Sequence, residues 1–328
     1  MMMKQWISAR RTSATLIWIV HCSLVVVPDS SAAAIDLLVS SAGGANVYRF
    51  DGDTGFYEGI FSSGGGLGNP RGLTFGPDGN LYVADVMTHA IHRFDGANGA
   101  SLGHFSSGGN LLAPEGIQFG PDGLLYVASA GNDRILRFNV TTGSFVDTFV
   151  TGGILNGPYD LEFGPGGDLY VSSLEIGRIL RYDGQTGVFA GIYAGGPELV
   201  LPKGFEFGPD GDLYVVSSSG PTAGVHRYDG LSGAHLGNFA SATDLRNPFD
   251  IQFGPNGDLF VSDITLPQGG VYRFDGLTGN DLGPFAIGVP LGQPTFLTFT
   301  PEPNGVLAIL VGVLSLCWRR PRRTVPFR

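Results

Sequence analysis

The stretch Pro70-Arg71-Gly72-Leu73-Thr74-Phe75-Gly76-Pro77-Asp78-Gly79-Asn80-Leu81-Tyr82-Val83-Ala84-Asp85 decides the fold. Asn69–Phe75, with the pattern x-Pro-x-Gly-apolar-x-Phe, leads into it, the apolar run Leu81–Ala84 ends it, and Gly-Pro-Asp-Gly lies between. Proline presets the backbone for a tight turn, and Asp-Gly completes one. Leu-Tyr-Val supplies the aromatic and β-branched side chains that suit a pleated, half-buried surface. The stretch therefore reads as strand, turn, strand.

The same pattern recurs along the chain. Phe-Gly-Pro-Asp-Gly stands at Phe75–Gly79, Phe119–Gly123 and Phe207–Gly211, with Phe-Gly-Pro-Gly-Gly at Phe163–Gly167 and Phe-Gly-Pro-Asn-Gly at Phe253–Gly257. The steps between the leading phenylalanines are 44, 44, 44 and 46 residues. A second marker, Arg-aromatic-Asp-Gly, begins at Arg49, Arg93, Arg181, Arg227 and Arg273, with Arg-Phe-Asn-Val at Arg137. A period of about 44 residues is the length of one four-stranded propeller blade. Each copy supplies an inner strand A ending in Phe, a strand B of the Leu-Tyr-Val type, a strand C carrying the arginine (Ile91–Phe94 in one copy) and a strand D such as Ser101–Phe105.

The first copy starts at strand B, with Asp36–Ser40, and lacks a strand A. Pro294-Thr295-Phe296-Leu297-Thr298-Phe299 has the strand-A pattern at the far end, 46 residues beyond Phe253. The expected fold is therefore all-β: a six-bladed β-propeller of four-stranded antiparallel blades over residues 35–300, closed by the C-terminal strand docking on the first blade. Closure removes the open sheet edges that repeated strands otherwise present.

The Pro70–Asp85 run resembles the NHL-type repeat and related six-bladed propellers, among them lactonase-like and virginiamycin-lyase-like proteins. The resemblance covers residues 35–300. It implies a fold and leaves function open, because this fold hosts enzymes, ligand binders and protein-contact platforms.

Both ends carry a different signal. Lys4, Arg10 and Arg11 precede an apolar run from Ala14 to Val27, and Ser30-Ser31-Ala32-Ala33-Ala34 follows. This is the order of a secretory signal peptide, with cleavage expected after Ala34 or Ala32. The apolar run falls short of the ~20 residues that span a bilayer. At the other end Pro301-Glu302-Pro303 precedes an apolar stretch, Gly305 to Trp318, and then Arg319-Arg320-Pro321-Arg322-Arg323. This order resembles the PEP-CTERM sorting signal of Gram-negative bacteria that make exopolysaccharide. The resemblance implies an exosortase-type partner, transient membrane association through the tail, and delivery to the cell surface or matrix. The chain then divides into a signal peptide (1–34), a propeller (35–300) and a sorting signal (301–328).

Between residues 35 and 300 stand 11 of the Lys and Arg residues against 27 of the Asp and Glu, a net charge of −16. Such a body repels phosphate backbones, which argues against a nucleic-acid partner. Both cysteines, Cys22 and Cys317, lie in the terminal apolar segments, so the body has no disulfide framework and no thiolate chemistry.

In a repeat protein a residue present in every blade is most simply scaffold, and function is sought where copies differ. By that test the strand-C arginines and the Asp-Gly turns, whose glycines are assigned positive φ, are structural. The residue after each strand-A proline varies: Arg71, Glu115, Tyr159, Lys203, Phe249 and Thr295, with Asp160 and Asp250 one position further on. Arg71, Glu115, Asp160, Lys203 and Asp250 are candidate ligand-binding residues at a channel mouth. The B–C loops are longer in the fifth and sixth copies, which makes Pro221, Leu266 and Gln268 candidate binding-loop residues. His89 with Asp85 is a candidate metal pair, and the acidic turns are candidates for Ca²⁺ or another divalent cation. No catalytic residue is assigned. The expectation is a non-catalytic binding or scaffold protein whose partner is a polysaccharide or surface protein, without cofactor. The alternative is a metal-dependent hydrolase or lyase, lactonase-like or virginiamycin-lyase-like, working at the channel mouth.

Overall fold

The computed structural model describes residues 35–241, 245–265, 269–287 and 291–301. All belong to one compact unit of the chain. It contains six four-stranded antiparallel sheets arranged as blades. From the inside outward, the second blade is Pro70–Phe75, Leu81–Asp85, Ala90–Phe94 and Ser101–Ser106. The third to sixth blades repeat this order from Pro114–Phe119, Pro158–Phe163, Pro202–Phe207 and Pro248–Phe253. Every inner strand opens on proline, which has no N–H to give the ladder and is tolerated at a first strand position. One 3₁₀ turn, Ala130–Asn132, is the exception to the all-strand body among the described residues.

The first blade is closed from the far end of the sequence. Its order is Pro294–Phe299, Asp36–Ser41, Asn46–Asp51, Tyr57–Ser63. Leu37 pairs with Phe299, Leu38 with Thr298 and Val39 with Leu297. Thr295 is fully buried at this seam. Its hydroxyl lies 2.8 Å from Ser40 Oγ, and its carbonyl accepts from Ser262 Oγ of the sixth blade at 2.5 Å. One residue thus ties the closing strand to both of its neighbours.

Blade-to-blade packing repeats a single aromatic device. The strand-B ring of each blade meets the strand-D ring of its own blade and the strand-A phenylalanine of the next. Tyr82 packs edge-on against Phe105 and Phe119, Tyr126 against Phe149 and Phe163, and Tyr214 against Phe239 and Phe253. Tyr170 and Phe260 do the same. In the first blade Leu38 takes the tyrosine's place, packed with Phe61 and Phe75. Edge-to-face pairs add about 0.5–1.5 kcal/mol each beyond area burial.

The strand-C arginines are scaffold, as their recurrence suggests: all six pair with nearby carboxylates, among them Arg227 with Asp212 and Asp210 at 2.7 Å each. The Asp-Gly turns meet the expectation in part: in Gly-Pro-Asp-Gly the glycine has positive φ, as at Gly79 (φ 77°) and Gly211 (φ 84°), but in the C–D turns the glycine next to Asp does not. Positive φ falls on the second glycine of Asp-Gly-x-x-Gly, as at Gly99 (φ 73°) and Gly187 (φ 70°). The first glycine is required by space: a Cβ on Gly96 or Gly276 would collide with the carbonyl of Gly79 or Gly257 in the A–B turn. The turn carboxylates accept backbone N–H groups, as Asp183 does from Gln185 and Thr186.

Candidate functional site

The six inner strands line the central channel, and their first varied residues meet at its loop end. Aromatic side chains close that end. Tyr159, Phe249 and Phe296, from three different blades, pack together with ring centroids 5.3–6.0 Å apart. Arg71 and Lys203 stand over Phe249, with the charged groups 5.4 and 4.4 Å from the ring centroid. Lys203 Nζ also donates to Asn247 Oδ1 at 3.0 Å. Arg71 Nε lies 3.5 Å from Glu115 Oε2, near enough for charge attraction, but among the described residues neither atom has a hydrogen-bond partner.

Burial sets the protonation of this group. It pushes Glu115 up to about 7, against the opposing pull of Arg71 and Lys203. Burial, with the Arg71 charge, brings Lys203 down to about 8. The structure thus brings Arg71, Glu115 and Lys203, three of the candidate ligand-binding residues, together around an aromatic plug.

Asp160 and Asp250 belong to a second layer, deeper in the channel. With Thr74, Gln118, Glu162 and Glu206 they line a cavity of about 140 Å³ on the A–B turn side of the plug. The inward edge of an inner strand has N–H groups that its own sheet does not satisfy, and a buried backbone donor without a partner is costly. Side chains from the preceding blade supply the acceptors. Asp160 takes the N–H of Phe205, Glu162 that of Phe207, Glu206 that of Phe253 and Asp250 that of Leu297, at 2.6–3.2 Å. Gln118 does the same for Phe163. Space for Asp160 and Asp250 comes from Gly116 and Gly204 of the preceding blades, where a Cβ would lie 2.8 and 2.6 Å from the Cα of the respective aspartate.

Burial raises all four carboxyls: Asp160 to about 7, Glu162 to about 8, and Glu206 and Asp250 well above the ordinary range. Crowding adds to it, since Glu162 faces Asp160, and Glu206 faces Glu162. Glu162 and Glu206 escaped the sequence reading. The signal was present in the two-residue period of a strand, which puts the residue before each strand-A phenylalanine on the same face as Asp160 and Asp250.

The remaining candidates are placed as follows. Asp85 is buried and accepts from the backbone of Gly68, Asn69 and Thr88 at 2.6–2.8 Å. His89 has a left-handed backbone (φ 53°), and its Nδ1 accepts from Ala113 N at 3.0 Å. Pro221 is exposed in the fifth blade's B–C loop. Leu266 and Gln268 lie outside the described residues, as do Glu302 and Pro303. Among the described residues no three His, Cys, Asp or Glu side chains are grouped as metal ligands.

Around the closed mouth the loop face carries exposed apolar groups. Met87, 68% exposed, stands on the second blade's B–C loop. Leu112, Ile154, Leu201 and Ile287 stand on blade-to-blade connections, so with Pro221 they circle the face.

Comparisons with known proteins agree on the scaffold. The NHL repeat model matches residues 67–94. No curated protein matches the chain. A chain in the crystal structure of a nidogen/laminin complex superposes with a TM-score of 0.67 at 17% identity, covering 82% of this chain and 99% of that one. A protein of unknown function from Bacteroides caccae gives 0.65 at 14% identity, covering 82% and 100%. Virginiamycin B lyase from Staphylococcus aureus gives 0.55 at 19% identity, covering 70% and 77%. The body of this chain is a six-bladed β-propeller that carries an NHL repeat.

Proposed function

We propose that the protein is an exported, non-catalytic binding propeller that presents its loop face to a macromolecule of the cell surface or exopolysaccharide matrix. The carrying observation is a mouth plugged by Tyr159, Phe249 and Phe296 and encircled by exposed apolar side chains. Exposed apolar side chains on loops of a rigid scaffold suit a broad contact surface better than a small-molecule pocket. The fold likeness to a chain of a nidogen/laminin complex is in keeping with this use.

The tail supports the same reading. Thr300 is held to Asp36 by two hydrogen bonds of 2.8 Å, and Pro301, the next residue, is exposed. Strand A runs from the loop face to the turn face, so the chain leaves the ring opposite the rim. A molecule tethered through Pro301-Glu302-Pro303 would point its loop face away from the tether. Export rests on the N-terminal segment, and delivery rests on the tripeptide, the apolar stretch and the arginine cluster.

The test compares Met87→Asp with Leu201→Asp together against Glu115→Gln. Binding is measured separately to purified matrix polysaccharide and to surface protein of a producing bacterium. The rim variant is expected to bind at least about tenfold more weakly, as loss of interface anchors does, and Glu115→Gln to bind normally. Which fraction binds identifies the partner class. Loss of an activity on Glu115→Gln, with binding by the rim variant unchanged, would instead favour the hydrolase or lyase alternative. Delivery is tested by Pro301→Ala with Pro303→Ala: the doubly substituted chain is expected to remain cell-associated and unprocessed, and normal release would remove the sorting reading.

A further inference from the structure

We propose that His226 and His235 of the fifth blade bind a transition-metal dication of the Zn²⁺, Cu²⁺ or Ni²⁺ class. The site is on the two outer strands, Gly224–Tyr228 and His235–Ala240, away from the channel. His226 is buried, whereas the His235 side chain is 32% exposed and gives an ion access.

The hydrogen bonds fix one tautomer and leave the other poised. His226 Nε2 lies 2.8 Å from the Thr222 carbonyl, which can only accept, so the ring proton sits on Nε2 and Nδ1 presents a lone pair. That lone pair faces His235 Nε2 at 3.1 Å. The other nitrogen of His235, Nδ1, faces Glu198 Oε1 at 3.7 Å. When the His235 proton sits on Nδ1, toward the carboxylate, two lone pairs converge with no proton between them. A cation between the two nitrogens satisfies both.

The spacing fits such an ion. Two nitrogens bound at about 2.0–2.1 Å in tetrahedral geometry stand roughly 3.3 Å apart. Metal-bound histidines characteristically give their far N–H to a carbonyl or carboxylate, which fixes the ring and raises its basicity. Here the Thr222 carbonyl holds one of those places, and the Glu198 carboxylate, 3.7 Å from His235 Nδ1, stands beside the other. Imidazole donors select Zn²⁺, Cu²⁺ and Ni²⁺ over Ca²⁺ and Mg²⁺. Asn238 stands opposite His226 in the strand register.

The second blade provides a built-in contrast. His92 occupies the strand-C position equivalent to His226, beside His104. Both His92 nitrogens, however, face oxygens: Thr88 Oγ1 at 3.0 Å and the Gly65 carbonyl at 3.1 Å. No imidazole lone pair of His92 is left to face His104.

The test is calorimetric titration of the full chain with Cu²⁺ and with Zn²⁺ near neutral pH, with electron paramagnetic resonance of the Cu²⁺ form. Saturable binding of one equivalent is expected, with nitrogen coupling in the spectrum and no competition from Ca²⁺. His235→Ala, at the exposed member, should abolish that equivalent, and His104→Ala should leave it intact. Glu198→Gln should weaken it about tenfold or more, as loss of such an outer partner does. Affinity should fall at acid pH, because a protonated ring nitrogen cannot bind a metal. If His226→Asn fails to fold, His235→Ala still decides. Absence of saturable binding, or undiminished binding by His235→Ala, would overturn the proposal.

Discussion

A chain ending at residue 291 is expected to lose cooperative folding, whereas a chain ending at Thr300 is expected to melt like the full protein. The difference between them is the closing strand. Without Pro294–Phe299 the first blade has three strands, and the inner edge of Asp36–Ser41 is left without its partner. Leu37 and Val39 lose Leu297 and Phe299, and Leu297 also packs with Phe260 of the sixth blade through the same core cluster. Thr295 removes its hydrogen bonds to Ser40 and Ser262 at the same cut. Burial of one large apolar side chain contributes roughly 1.5–3 kcal/mol, and a domain's whole stability is about 5–15 kcal/mol. Losing several such contacts with six residues of ladder exceeds that margin. The exposed edge should also drive association. Circular dichroism melting and size-exclusion chromatography of the two truncations check this. A two-state melt of the shorter chain within a few degrees of the longer one would contradict it.

Melting temperature is expected to fall as pH rises from about 5 to about 9. The cause is the layer of Asp160, Glu162, Glu206 and Asp250, each raised chiefly by burial. A carboxyl whose folded ionisation lies above its unfolded one binds more protons in the folded state. Its stabilising contribution is complete below the unfolded value, near 4, and is lost as pH rises through the folded value. For Asp160 and Glu162 the folded values are about 7 and about 8, so the window runs from roughly pH 4 to 8. Each pH unit between the two ionisations is worth about 1.4 kcal/mol per group.

Glu162→Gln with Glu206→Gln keeps an oxygen acceptor for the N–H groups of Phe207 and Phe253 and removes the ionisation. This double variant should melt higher than the parent at high pH and show a flatter profile. The turn carboxylates Asp51, Asp183, Asp229 and Asp275 act in the opposite sense, being lowered by hydrogen bonds from Thr54, Thr186, Ser232 and Thr278, but they are exposed and solvent screening discounts them. A melting temperature that climbed with pH would contradict this account.

The blades were readable because repetition makes each assignment six times over. Phe-Gly-Pro-x-Gly and Arg-aromatic-Asp-Gly punctuate strands whose ends fall within a residue or two of their expected places, and the closing strand was visible as a strand A missing at one end and surplus at the other. Positive φ accounts for the glycine of Pro-Asp-Gly in the A–B turns but not for the first glycine of Asp-Gly-x-x-Gly in the C–D turns. A carbonyl approaching from the A–B turn, such as Gly79 against Gly96, is a tertiary fact with no mark in local sequence.

The channel mouth was less legible for a similar reason. Tyr159, Phe249 and Phe296 are too far apart in sequence to suggest a plug, and only ring closure brings them together. Glu162 and Glu206 follow from the strand period, which the varied residue after each proline does not by itself disclose. The convergence of His226 and His235 depends on strand register and on Glu198 reaching in from a connection, which no spacing rule supplies.

Hydrogen exchange measured with and without a saturating matrix polysaccharide or surface protein tests the binding account most directly. The account predicts slowed exchange in the loop-face segments 86–89, 110–113, 153–157, 197–201 and 218–223, with the turns at 76–80 and 208–212 unchanged. Protection confined to the turn face, or to the inner strands around Glu162 and Glu206, would contradict it and move the site to the acidic end of the channel.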